Sequence, residues 1–255
     1  MRRAGGLWPH VASFAALTAA ARRAARGQRR SRGAATLLDA LEPECLRLER
    51  ELQADGWRPG PTHRFVIHDP KPREITVAPF ADRVVHHALI APLEPVFERR
   101  MIADSYACRR GKGTHAAVRR AQALLRRHRY SLRLDVASFF ASLAHDVVLE
   151  SLARLVKDRR VLQLTARIVA GPTLGDPAVG LPIGSLTSQW LANIVLDRVD
   201  HLIVESAERV PGYVRYMDLC VAAHKWTTWC CLPTIARGSG RPTTRSRRLC
   251  GCTSR

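Results

Sequence analysis

Two short apolar runs, far apart in the chain and each ending on a carboxylate, constrain this sequence most strongly. Residues 130–136 alternate as a half-buried strand does, and reach Asp135 within Leu132-Arg133-Leu134-Asp135-Val136-Ala137-Ser138-Phe139-Phe140. A second run, Tyr213-Val214-Arg215-Tyr216-Met217, reaches Asp218. Two such carboxylates brought together can hold two divalent metals, the chemistry that joins nucleotides. Leu219 follows Asp218 directly.

A chain of 255 residues is long enough for one large domain or two small ones, and 46% hydrophobic content suits a folded core. The formal net charge of +19 speaks to partners. Nucleic acid fits best, because Lys and Arg placed near phosphates release counterions; a membrane surface is the weaker reading. No uninterrupted apolar run reaches the roughly 18 residues of a transmembrane helix. Arg2 and Arg3 before an apolar stretch resemble a signal peptide, but Pro9 and His10 interrupt it, and Arg22, Arg23 and Arg26 continue a basic helical pattern. The expected location is cytoplasmic. Cys230, Cys231, Cys250 and Cys252 lack the paired spacing of a zinc site, and Cys45, Cys108 and Cys220 are scattered, so free thiols are expected.

Helical periodicity covers residues 11–56 with basic breaks. Phe65-Val66-Ile67 and Ile75-Thr76-Val77 flank Asp69-Pro70-Lys71-Pro72-Arg73, which reads as strand, basic turn and strand. Helices are predicted over 81–101, 114–129, 146–155 and 186–204, with a turn at 171–176 and a tight turn at 180–184 opening the last helix. Residues 213–217 form the last expected strand. From Leu219 onward apolar periodicity fades and no acidic residue follows Asp218, so residues 219–255 are expected not to pack.

The order of the motifs says more than any one of them. The basic hairpin Lys71-Pro72-Arg73-Glu74-Ile75 precedes Asp82-Arg83-Val84-Val85-His86-His87, then Asp104-Ser105-Tyr106-Ala107-Cys108-Arg109-Arg110-Gly111-Lys112-Gly113-Thr114, then Asp135, then Gly180-Leu181-Pro182-Ile183-Gly184-Ser185-Leu186-Thr187-Ser188-Gln189, then Tyr216-Met217-Asp218. Over residues 35–218 this series resembles bacterial reverse transcriptases of the retron, group II intron and diversity-generating retroelement kinds. The stretch around Ile183 is similar to the last of these.

The resemblance implies an α+β right-hand polymerase: a basic helical N-terminal extension (1–34), helical and hairpin fingers (35–130), a palm whose antiparallel sheet is backed by helices (131–218), an aberrant tail (219–255) and no thumb. It implies RNA-directed DNA synthesis with two Mg²⁺ ions, which Mn²⁺ can replace, held by Asp135, Asp218 and the Val136 carbonyl. Lys71 and Arg73 would grip the triphosphate. Phe140 would exclude a ribose 2′-hydroxyl, with either Phe139 or Phe140 belonging to the core. Ile183 and Gly184 would shape the nucleotide pocket, and Arg109, Arg110, Lys112, Ser188 and Gln189 would meet template or primer. The implied partners are an RNA template, a DNA or RNA primer and deoxynucleoside triphosphates. An accessory protein or a cognate structured RNA is also in keeping with the family, and a membrane is not.

The family pattern is Tyr-x-Asp-Asp, and this chain has Tyr216-Met217-Asp218-Leu219. The codons required by Lys225-Trp226-Thr227-Thr228-Trp229-Cys230-Cys231, read from the last base of the Lys codon, allow Met-Asp-Asp-Leu-Val-Leu. The expectation is an interruption after Asp218 that shifts the frame and impairs the enzyme. The alternative is a non-catalytic RNA-binding remnant.

Overall fold

Alternation of short amphipathic helices with two small groups of strands gives the chain an α+β architecture. The computed structural model describes residues 2–68, 72–171, 178–205 and 210–224. In chain order the elements are α1 (Phe14–Ala24), α2 (Arg32–Asp39), α3 (Leu41–Gln53), β1 (His63–His68), β2 (Pro72–Val77), α4 (Phe80–Glu98), α5 (Thr114–Arg127), β3 (Tyr130–Asp135), α6 (Phe139–Ser142), α7 (His145–Ala153), α8 (Arg159–Val169), α9 (Leu186–Val204), β4 (Gly212–Tyr216) and β5 (Leu219–His224). They form two compact units. One joins residues 1–103 to 136–200, and the other joins residues 104–135 to the chain from 201 onward. The division expected between residues 130 and 131 falls inside the second unit, between α5 and β3.

In the first unit, α1 starts where the Ser13 hydroxyl accepts the Ala16 N–H (3.4 Å). Leu17, Ala20, Ala21 and Ala24 recur at helical spacing and are buried, and α1 packs along α4. A stripe of alanines lets two helix backbones approach closely. α4 runs through Pro92 and Pro95 without ending. Its buried Val84, Val85, Ala88, Leu89, Leu93, Val96 and Phe97 outweigh the two lost backbone donors. β1 and β2 pair antiparallel, with Phe65 opposite Ile75 and Ile67 opposite Arg73. The strands therefore fall where the sequence reading puts them, and the turn residues 69–71 lie outside the described residues. α8 was not anticipated. Its Val161, Leu164, Ile168 and Val169 are buried, while the Asp158 carboxylate before it accepts the backbone N–H groups of Leu7 (2.9 Å) and Trp8 (3.0 Å).

In the second unit a three-stranded antiparallel sheet has the order β3-β5-β4. α5 packs against β4, where Ala117, Leu124 and Val214 are buried together and Tyr106 and Tyr216 close over them. The expectation that nothing packs from Leu219 is corrected here. Leu219–His224 is the central strand of the sheet, paired on one side with residues 130–135 and on the other with residues 212–216. A central strand satisfies its backbone on both edges, so modest side chains such as Cys220 and Ala222 suffice to bury it. Residues 225–255 lie outside the described residues. No helix among the described residues is long and apolar enough to cross a membrane.

Candidate active site

The second unit brings the two carboxylates to neighbouring strands. Asp135 closes β3 and stands directly across from Leu219 at the start of β5. Asp218 precedes Leu219 in the two-residue turn from β4 to β5, since Tyr216 pairs with Leu219 across it. Met217 takes φ +54° there, the sign that tight hairpin turns demand at their first central position. Asp135 is exposed and Asp218 half-buried. Cross-strand partners share a sheet face, so Leu219 occupies the register position on which a second turn carboxylate would face Asp135.

The turn is clamped from the segment before α5. The backbone of Arg215 donates to the Asp104 carbonyl (2.9 Å) and accepts from the Tyr106 N–H (3.0 Å). Arg120 on α5 holds the Asp104 carboxylate with two bonds, Nε to Oδ1 at 2.9 Å and Nη2 to Oδ2 at 2.8 Å. The Tyr106 hydroxyl donates to the same carboxylate (3.1 Å), and the Thr114 hydroxyl donates to the Tyr216 hydroxyl (2.9 Å). Of the three expected template contacts in this segment, Arg110 is exposed, whereas Arg109 and Lys112 are half-buried. Arg109 Nη1 donates to the Ser105 carbonyl (3.0 Å), and Lys112 Nζ lies 4.8 Å from the centre of the Tyr106 ring. Burial pushes the Cys108 thiol up to about 11, with Arg215 opposing the shift, so this cysteine stays a neutral thiol.

The first unit assembles the expected nucleotide-facing residues. Arg73 is exposed on β2. The loop before α9 docks on that strand through the Thr76 N–H, which donates to the Ile183 carbonyl (3.0 Å). Gly184 takes φ +104°, and a Cβ there would stand 3.2 Å from both Ile75 Cγ2 and the Thr76 carbonyl oxygen. Ile183 is 37% and Val136 42% exposed, so both present apolar surface outward. Phe139 is buried and Phe140 half-buried, their rings meeting edge-on at 5.7 Å. Phe139 is thus the core member of the pair. The Phe140 carbonyl accepts the Leu181 N–H (2.7 Å), which ties the aromatic to the glycine loop. Ser188 departs from expectation. It is buried on α9 at 3% exposure, while Gln189 is half-buried. Lys71 lies outside the described residues.

Beside this loop a cavity of about 280 Å³ is lined by Gln28, Arg83, His86, His87 and residues 75–78 and 184–186. The Ser185 hydroxyl lies 3.3 Å from His86 Nδ1. Burial pushes both imidazoles down to about 4, so both are neutral near pH 7. Burial pushes the Asp82 carboxyl up, against the Gly60 N–H that donates to it at 2.7 Å. Sequence reasoning missed Ser105 and Arg215, and read Arg120 as an extension of the basic track toward phosphates rather than as the partner of Asp104. Only Arg215 left a signal, as a charge inside an otherwise apolar strand.

Among the described residues no group of three or more His, Cys, Asp or Glu side chains converges on one point. Two carboxylates remain, an oxygen-only donor set that suits Mg²⁺, which commonly binds through one or two carboxylates and takes its other ligands from water and phosphate. A family model described as reverse transcriptase (RNA-dependent DNA polymerase) matches residues 67–228. The chain belongs to the reverse transcriptase family. It is 26% identical over 183 residues to protein YkfC of Escherichia coli K12, covering 67% of this chain and 48% of that protein. It is 23% identical over 189 residues to the group II intron-encoded protein LtrA of Lactococcus lactis subsp. cremoris, covering 68% and 32%. A shorter match, 36% over 85 residues, joins it to nuclear intron maturase 1, mitochondrial, of Arabidopsis thaliana, covering 33% and 12%. The chain therefore spans about half, or less, of the length of these relatives. A chain of the partial Cas6-RT-Cas1–Cas2 complex aligns with a TM-score of 0.46 and 17% identity, over 84% of this reverse transcriptase-family chain and 38% of that one.

Proposed function

We propose that this chain is an RNA-directed DNA polymerase of impaired activity, with Asp135 and Asp218 as its metal-facing carboxylates. The observation that carries this reading is the register of the sheet, which sets Asp135 beside the turn that holds Asp218. Mg²⁺, when bound, would neutralise charge on a triphosphate and on a primer 3′-hydroxyl. The chain's own residues do the rest. Asp135 and Asp218 supply the anionic oxygens, with the Val136 carbonyl next to Asp135 in sequence. Arg73, and with it Lys71, binds triphosphate oxygens, for which a guanidinium fork is well shaped. Phe140 acts as a steric gate against a 2′-hydroxyl, and Ile183 and Gly184 form an apolar floor under the sugar. Arg109, Arg110 and Lys112 bind template or primer phosphates, and Gln189 meets the template strand. These assignments make residues 35–130 fingers and place the β3-β5-β4 sheet in the palm.

Leu219 favours a second reading, an RNA-binding remnant without catalysis, because one carboxylate fewer faces Asp135. Primer extension on an RNA template with deoxynucleotides and Mg²⁺ separates the two. The wild-type chain is expected to extend weakly. Leu219→Asp, which restores a carboxylate without changing the register, should raise extension on the order of 10²-fold, and Asp135→Asn should abolish it. RNA binding with no extension by either the wild type or Leu219→Asp would establish the remnant. Robust extension that survives Asp135→Asn would overturn the assignment of the carboxylates.

A further inference from the structure

We infer that Arg215 is a positioning residue for the turn that presents Asp218, and this rests on the metal-facing role proposed for that turn. The guanidinium is buried at 2% exposure in a strand where an apolar side chain would cost far less to bury. Two of its hydrogen bonds bear on the turn. Nη1 donates to the Met217 carbonyl (3.0 Å), and Nη2 donates to the Ser105 hydroxyl (3.1 Å), which is itself buried. The first bond grips the residue with the left-handed backbone, φ +54°, one position before Asp218. An L-residue there costs roughly 1 kcal/mol, so the turn benefits from an external hold.

The second bond transmits stiffness from outside the hairpin. Ser105 pairs with Arg215 as an isolated parallel bridge along the outer edge of β4. Its neighbour Asp104 is fixed to α5 by Arg120. The Ser105 carbonyl accepts Arg109 Nη1, so the segment proposed to touch nucleic-acid phosphates ends on the same residue that braces the metal-facing turn. One planar fork reaches the turn and this segment together. A lysine at the same place presents a single nitrogen and cannot span both acceptors in a fixed geometry. The expectation is that Asp218 is held in place before any ion or nucleotide arrives, in the way that hydrogen-bonded partners orient metal ligands elsewhere.

The test uses the full chain with Arg215→Met, which keeps bulk and loses the donors, and Arg215→Lys, which keeps charge and loses the fork. Hydrogen exchange read by mass spectrometry on peptides spanning residues 213–222, and Mn²⁺ binding read by electron paramagnetic resonance, give two readouts apart from activity. Arg215→Met should speed exchange at Met217, Asp218 and Leu219 about tenfold or more and weaken Mn²⁺ binding roughly 10- to 100-fold, while peptides from α4 and β1 keep their protection. Arg215→Lys should fall between. If Arg215→Met fails to fold, Ser105→Ala removes the bond to Ser105 and should act in the same direction with smaller amplitude. Exchange in 213–222 unchanged in a folded variant overturns the inference, and so does an equal loss of protection throughout the chain. If the wild type binds Mn²⁺ no better than Asp135→Asn, the metal reading fails, and exchange in the turn still decides whether Arg215 braces it.

Discussion

At Gly184 the backbone sits at φ +104°, a conformation that strains any L side chain, and an added methyl group would press on the Thr76 carbonyl and Ile75 Cγ2 at 3.2 Å. Gly184→Ala should therefore cost about 1–3 kcal/mol, read as a lowered melting temperature, and should loosen the loop that carries Ile183. His86 makes a pH-dependent contribution of calculable sign. Its folded pKa of about 4 lies below the ordinary 6.5, so the stability it contributes is complete above pH 6.5 and is lost as the pH falls toward 4. At pH 5 the loss is roughly 2 kcal/mol. Melting followed from pH 7 to pH 5 should fall, and His86→Gln should flatten that slope. Single residues were legible when their chemistry was unusual. Asp135, Asp218, Gly184 and Arg73 stood out in this way; they lie at a strand end, in a turn, in a loop and on an exposed strand. Ser188 misled because its helix has apolar residues nearly all round, so the sequence offers no outer face to assign it to. Arg215 went unassigned because an arginine in a basic chain reads as surface until burial shows otherwise.

Among the elements, the β1–β2 hairpin and the helix at 186–204 were readable because a turn signal or a glycine stood at the boundary. β5 was not. Leu219-Cys220-Val221-Ala222-Ala223-His224 is built of small and apolar residues without polar–apolar alternation, and its alanines offer weak strand propensity. Its formation comes from partners far away in the chain, which local patterning does not encode. α8 was legible and was passed over: Val161, Leu164, Ile168 and Val169 recur at helical spacing, and Arg159, Arg160 and Arg167 lie off that face. The junction between α5 and the sheet edge can be probed directly. Arg120→Ala removes both bonds to Asp104, and with the guanidinium partly exposed the expected cost is about 1 kcal/mol, measured by chemical denaturation. The effect should be larger in the second unit's hydrogen exchange than in the first unit's.

For the molecule as a whole, charge and architecture act separately. A net charge of +19 says nothing about fold, yet it predicts how RNA binding responds to salt. Raising salt from about 50 to 200 mM should weaken binding on the order of 10²-fold or more, and a filter-binding titration would show it. The α+β class and the order of motifs were visible in the sequence. The division into units was not, because each unit is built from two separated stretches of chain. That interleaving sets a timetable for synthesis. When β3 leaves the ribosome, neither β4 nor β5 has been made, and the strand that will pair Tyr130 with His224 emerges last. Asp135 therefore waits, at the end of an unpartnered strand edge, until nearly the whole described chain has been translated. Such an edge invites association with other chains, so a nascent copy stalled before residue 219 should be sticky and inert, and the carboxylate pair comes into being only as translation passes the end of β5.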